Sequence, residues 1–258
     1  MNHLAFGILL LAFAGCTTTS GKYLWRVRDF ALAPGPKVRF VRPNHTDALT
    51  MSTQTVQKLL LAHIRISRTA SVQAELLVIE DTDPNAFAGL LNGRRVVAIN
   101  TGMIQLIGDD IDEYAALLGH ESAHWAKGHG RSREARSNML QGISTLAGLG
   151  LSAAGVPAAG WITGLGADAI DASYSRDDER EADALAIEYM LASGFDPAGA
   201  MRLQEKMLTH PGGLRIPFLS SHPSGEERIE NLKNLIAAKK SRSSITDPND
   251  KSLEPLDF

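Results

Sequence analysis

The chain has 258 residues, 44% of them hydrophobic and 21% charged, which is enough for one domain with a sizeable core. Its net charge of -3 and the lack of a basic stripe argue against a nucleic-acid binder. The single cysteine, Cys16, excludes disulfides within the chain.

The N-terminal segment from Leu4 to Gly15 is an uncharged apolar run of signal-peptide length, with small residues before Cys16. Ala14-Gly15-Cys16 followed by Thr17-Thr18-Thr19-Ser20 resembles a bacterial lipoprotein signal. The resemblance implies lipidation of Cys16, a domain facing the periplasm, and attachment to the membrane through an N-terminal lipid anchor. With no aspartate after the cysteine, the outer membrane is the expected site. An uncleaved apolar anchor is the alternative. Residues 1–15 thus read as the signal, 16–44 as a tether with a short strand at Lys37 to Val41, and 45–240 as the folded domain. The polar stretch from Ser241 to Phe258 reads as a disordered tail.

Within the domain, Thr50 to Arg68 has helical spacing, with Val56, Leu59, Leu60, His63 and Ile64 on one face. His63 there reads as a core-edge histidine. Glu75 to Glu80 reads as a strand. Asn85 to Leu91, Asn92-Gly93 and Arg94 to Asn100 read as a hairpin with a primed turn, whose edge could pair with an extended peptide.

A helix is predicted from Asp110 to Lys127. Asp110 and Glu113 have capping-box spacing, Ile111, Tyr114, Ala115, Leu118 and Trp125 recur on an apolar face, and Gly128 is a stop. In its later turns lies His120-Glu121-Ser122-Ala123-His124. Two histidines four apart on a helix face the same way, so both imidazoles can reach one metal, and the glutamate between them can act as a general base. A catalytic zinc usually takes a third protein ligand. His129, five residues after His124, points about 140° away on a continuing helix and reads as solvated. The better candidate is Glu179, in a helix capped by Ser175, with Asp178 at capping-box spacing, an apolar stripe of Ala182, Leu185, Ala186 and Tyr189, and a stop at Gly194. Asp183, one turn beyond Glu179, could hydrogen-bond a ligand histidine from behind. Taken alone, the same carboxylates would also suit an ordinary solvated helix face. Between the two helices, Ser137 to Ala167 holds no charge and reads either as a cover over the cleft or as a membrane span.

The combination of HExxH with a Ser-Arg-x-x-Glu-x-x-x-Asp segment 55 residues later resembles the HtpX-like and CAAX-prenyl-protease-like zinc metallopeptidases of metallopeptidase family 48. Pro84-Asn85-Ala86-Phe87-Ala88, the run Val96 to Met103, and Ser221-His222-Pro223 with Arg228-Ile229 are similar to the family's other segments. Residues 50 to 240 are covered. Ala123 departs from the glycine usual before the second histidine.

The resemblance implies one Zn2+ per chain on His120, His124 and Glu179, with Glu121 as general base. It places His222 near the cleft, where an imidazole could either donate a hydrogen bond to the oxyanion that forms as water attacks or occupy the open zinc position at rest. It places Asp183 and Arg228 behind the ligands, and implies that Asn85, Ala86 and Phe87 hold substrate. The expected fold is α+β and mainly helical, a zincin-like (gluzincin) metallopeptidase domain with a small hairpin or sheet beside the active-site helix. The expected function is hydrolysis of peptide bonds in unfolded or misassembled envelope proteins. A zinc-bound chaperone-like or interaction protein with little proteolysis is the alternative.

Overall fold

The computed structural model describes residues 16–17, 23–30, 32–42, 48–91, 93–129, 174–211, 216–222 and 225–245. Ser137 to Ala167 therefore lies outside the described residues. No described helix is long and apolar enough to cross a membrane.

The described strands are β1 (Cys16–Thr17), β2 (Tyr23–Arg26), β3 (Lys37–Val41), β4 (Ala48–Ser52), β5 (Glu75–Ile79), β6 (Ala86–Leu91) and β7 (Arg94–Asn100). They form a sheet of order β1-β2-β5-β7-β6 and a separate β3-β4 ribbon. The helices are α1 (Thr53–Ala70), α2 (Thr101–Ile107), α3 (Ile111–Lys127), α4 (Arg176–Ala192), α5 (Ala198–Thr209), α6 (Pro217–Ser221) and α7 (Glu226–Ile245). The domain is mainly helical with a small sheet, as the sequence predicts.

The apolar stripe of α3 is the centre of the core. Tyr114, Leu117 and Leu118 are almost fully buried, and α3 packs along α1, α4 and α5 through Leu59, Ile66, Ile187, Met190, Leu203 and Met207. Asp110 caps α3 by accepting from the backbone N–H groups of Asp112 and Glu113. Only half of the predicted capping box forms. The Glu113 carboxylate turns instead to Lys206 Nζ on α5, 2.8 Å away. Burial pushes the Glu113 carboxyl up, partly offset by Lys206. Ser175 and Asp178 do form the reciprocal box at the start of α4.

β5 and β7 run parallel, with Glu75 opposite Val96 and Ile79 opposite Asn100. β6 returns antiparallel to β7 through a turn in which Gly93 has φ +74°, and forms one edge of the described sheet. At the end of β7 the chain passes close under the loop before β6. A Cβ on Gly102 would stand 2.1 Å from the Thr82 carbonyl oxygen, so only glycine fits that crossing.

Four expectations need correction. The 16–44 segment is more than a tether: β2 joins the sheet beside β5, and Trp25 is buried with Nε1 donating to the Val41 carbonyl and its ring edge-on to Phe40. This contact clamps the β3-β4 ribbon to the sheet, and the apolar surface of Tyr23-Leu24-Trp25 supplies the reason. Helix α1 starts at Thr53, because Thr50 to Ser52 pair in β4 and Ser52 caps the helix. Its buried face carries Ile66, while Ile64 is 45% exposed. Finally, Ser241 to Ile245 continue α7 and are not part of a disordered tail.

Candidate metal centre

Four segments converge on one buried group of side chains. The later turns of α3 bring His120, Glu121 and His124, α4 brings Glu179 and Asp183 one turn apart, His222 caps the end of α6, and Arg228 stands near the start of α7. All seven side chains are buried. The sequence signals that set the geometry are local ones. Asp110 and Ser175 fix where the two long helices begin, and Gly128 ends α3 in the left-handed conformation, with its N–H on the His124 and Trp125 carbonyls.

The donor atoms meet at short range. His124 Nε2 lies 3.0 Å from His120 Nε2, and His222 Nδ1 lies 3.1 Å from His120 Nε2 and 3.0 Å from Glu179 Oε1. Glu179 Oε2 is 3.4 Å from His120 Nε2, and Glu179 Oε1 is 3.3 Å from His124 Nε2. A tetrahedral ion with bonds of ~2.0–2.1 Å sets its ligands about 3.3–3.4 Å apart. The four side chains His120, His124, Glu179 and His222 thus fit a metal of the zinc type, and their donor atoms all lie within 4.8 Å of one another. The donor chemistry fits too, since two or three imidazoles with one carboxylate are usual zinc ligands.

The groups behind the donors are equally specific. Asp183 Oδ1 accepts from His120 Nδ1 at 3.0 Å, and this hydrogen bond leaves the His120 Nε2 lone pair facing the centre. Arg228 grips the same Asp183 carboxylate through Nε and Nη2, both at 2.7 Å. Its Nη1 stands 2.8 Å from Glu179 Oε2, an ion pair out of line for a hydrogen bond. Phe218 stacks on the His222 ring at 4.4 Å, and Tyr174 stacks on His124 at 3.7 Å.

The electrostatics follow from this packing. Burial opposes the charged form of His120, but the Glu179 carboxylate overcomes it and, with Asp183, lifts His120 to about 9. Burial pushes His124 down to about 3, helped by the neighbouring His120 and His222 and only partly countered by Glu179. Burial would raise Glu179, yet the charge of His120 and the close approach of the His120, His124 and His222 rings hold its carboxyl far below the usual range. Asp183 is held at about 2, where Arg228 and His120 outweigh burial. The site is therefore a buried anion that wants a cation. A proton on His120 serves without metal, and a divalent ion would serve better.

Glu121 differs from the rest. It is completely buried, and neither carboxylate oxygen has a hydrogen bond among the described residues. His222 Nε2 stands 3.5 Å from its Oε1. A buried carboxylate left so is costly unless a water or substrate takes its lone pairs.

Of the expected substrate residues, Ala86 and Phe87 begin edge strand β6, with Phe87 exposed and Ala86 buried. Asn85 precedes the strand, and its carbonyl accepts from Asn100. The adjacent Pro84 carbonyl accepts from Phe218 N–H, which ties this loop to the helix that ends at His222. Cys16 pairs through its backbone with Leu24.

His129 was expected to be solvated and is not. It is 5% exposed, with Nδ1 2.9 Å from His124 Nδ1 and Nε2 3.0 Å from Glu181 Oε2. The 140° argument holds only for a continuing helix. Gly128, at φ +70°, turns the chain so that the ring folds back on His124. Tyr174 was also missed; an aromatic one residue before a helix cap is the signal that could have found it.

The fold and the buried histidine–carboxylate group define a zincin-like metal-binding domain. A family model described as "Peptidase family M48" matches residues 50–236, and the chain belongs to that family. It is 30% identical over 187 residues to the mitochondrial metalloendopeptidase OMA1 of Schizosaccharomyces pombe, covering 72% of this chain and 53% of that protein. It is 28% identical over 159 residues to the metalloprotease YcaL of Escherichia coli, covering 62% of this chain and 61% of that one. It is 27% identical over 191 residues to the beta-barrel assembly-enhancing protease of Escherichia coli, covering 70% of this chain and 38% of the relative. The chain thus spans about half to three fifths of the first two relatives.

Proposed function

We propose that this chain is a zinc-dependent metalloendopeptidase. Zinc on His120, His124 and Glu179 would supply a Lewis acid that polarises a peptide carbonyl. The observation that carries the reading is Glu121, a buried carboxylate one residue past the first ligand, with both oxygens unengaged at the metal centre. In that position it takes a proton from an attacking water and returns one to the leaving amine. Asp183 and Arg228 keep His120 in the right tautomer and orientation. Edge strand β6 lines up an extended substrate by strand addition, with Phe87 exposed beside it.

The physiological reading is protein quality control in the bacterial envelope, on unfolded or misassembled proteins, with the domain lipid-anchored at Cys16. It is supported by the lipoprotein-like segment before Cys16 and by the likeness to a protease named for β-barrel assembly. Metal analysis of the purified protein, paired with casein cleavage with and without a chelator, tests the activity. Bound zinc without chelator-sensitive cleavage would leave a zinc-bound interaction protein instead.

A further inference from the structure

Among the described residues, the second histidine of the pair has no carboxylate directly behind it. His120 Nδ1 faces Asp183 directly, whereas His124 Nδ1 faces another imidazole, His129, at 2.9 Å. Two ring nitrogens at that distance share one proton, so one carries N–H and the other a bare lone pair.

The surroundings choose which. His124 Nε2 points into the donor group, 3.0 Å from His120 Nε2 and 3.3 Å from Glu179 Oε1, and must be bare to hold a metal. A neutral imidazole then carries its proton on Nδ1, and His129 Nδ1 must accept it. That leaves the His129 proton on Nε2, which faces Glu181 Oε2 at 3.0 Å with Asp178 Oδ1 at 3.7 Å. The opposite polarity fails at both ends. It places N–H on His124 Nε2, where the metal belongs, and turns a bare His129 nitrogen towards two carboxylates.

We infer that His129 is a positioning residue for the metal centre, holding the His124 ring and tautomer through a relay from His124 Nδ1–H to His129 Nδ1 and from His129 Nε2–H to Glu181. The inference rests on the reading of His124 as a zinc ligand. The relay is enclosed: His129 is edge-on to both His124 and Tyr174, with the three rings packed together. It ends at a half-exposed carboxylate that also pairs with Lys127, so water can replace Glu181 more readily than anything can replace His129.

The test uses two isosteric variants. Asparagine sets its side-chain oxygen where His129 Nδ1 stands, and leucine sets a methyl there. Zinc affinity is measured by chelator competition on the full chain, with the thermal midpoint of the chelated protein as the folding check. His129→Leu is expected to bind zinc about 10–100-fold more weakly, and His129→Asn to stay within a few-fold of wild type. Equal affinity in all three proteins would overturn the relay, and so would equal losses in both variants, which would mark His129 as packing alone. Should the leucine variant fail to fold, long-range 15N NMR of the zinc-loaded wild type decides. Protonated His124 Nδ1 is the expected result, and a bare one overturns the inference. His124→Ala separates the premise: undiminished zinc there would show that His124 is not a ligand at all.

Discussion

His222 Nε2 stands 3.5 Å from Glu121 Oε1, and neither atom has a hydrogen-bond partner among the described residues. The other nitrogen of the same ring lies 3.0 Å from Glu179 Oε1. One imidazole thus fills the space between the carboxylate expected to move protons and the group expected to hold zinc. On that side His222 would compete with a water for the carboxylate of Glu121.

His222→Ala should therefore raise basal proteolysis while zinc remains on His120, His124 and Glu179. If the ring instead donated to the developing oxyanion, turnover would fall by the equivalent of ~2.7–4 kcal/mol. Casein cleavage together with zinc content tells these apart, and wild-type values for both would leave His222 as a loop residue.

Glu121→Gln keeps the volume of a fully buried side chain and removes its ability to accept a proton. Proteolysis should drop by ~10²–10⁴ with zinc still bound. Wild-type cleavage by this variant would refute the proposed chemistry.

Glu179→Ala should sharply lower zinc content, because Glu179 is the only carboxylate among the four converging side chains. Glu181→Ala should change it little, since its carboxylate is half exposed. Metal analysis of both purified variants is the check. Equal zinc in the two would move the third ligand elsewhere.

Asp183 gives a pH dependence. Its carboxyl is held at about 2 against an ordinary 3.8. A depressed carboxylate contributes stability above its unfolded value and loses it as pH falls through its folded value. The chelated domain should thus lose stability between pH ~4 and ~2 as this contribution is withdrawn. Asp183→Asn should show a shallower acid limb and, with Arg228 left buried and unpaired, a cost of about 3–5 kcal/mol at neutral pH. Thermal midpoints across pH give both readings. An unchanged acid limb would remove Asp183 from the account.

Cys16→Ser should leave the protein unacylated, and either free of membranes or retained as precursor. Membrane fractionation and intact mass measure this. Unchanged mass and membrane association would assign the anchoring to an apolar segment instead.

What could be read from the sequence was what the chain settles locally. Helices α3 and α4 announce themselves by caps and spacing, and the histidine pair needs only one turn of helix to make sense. Glu179 and Asp183 look like any charged helix face until they are matched to the family pattern, because their partners lie 43 to 63 residues away in His222 and His120. Contacts between distant elements stayed hidden for the same reason. Lys206 claims Glu113 from a helix 93 residues on, and Trp25 belongs to a four-residue strand whose partner is β5. His129 was lost to a single backbone angle at Gly128, which no periodicity carries.

The residue before His120 is glycine, and a methyl built on it would come within 3.3 Å of the Ala186 Cα and 3.4 Å of its Cβ on α4. The two helices that carry the candidate metal donors therefore touch where neither has a bulky side chain. One added carbon at Gly119 would act as a shim, prising α3 from α4 by some tenths of an ångström immediately beside the centre. Bonds to a metal tolerate little more than that. The bore of this site is thus gauged by an atom that is not there.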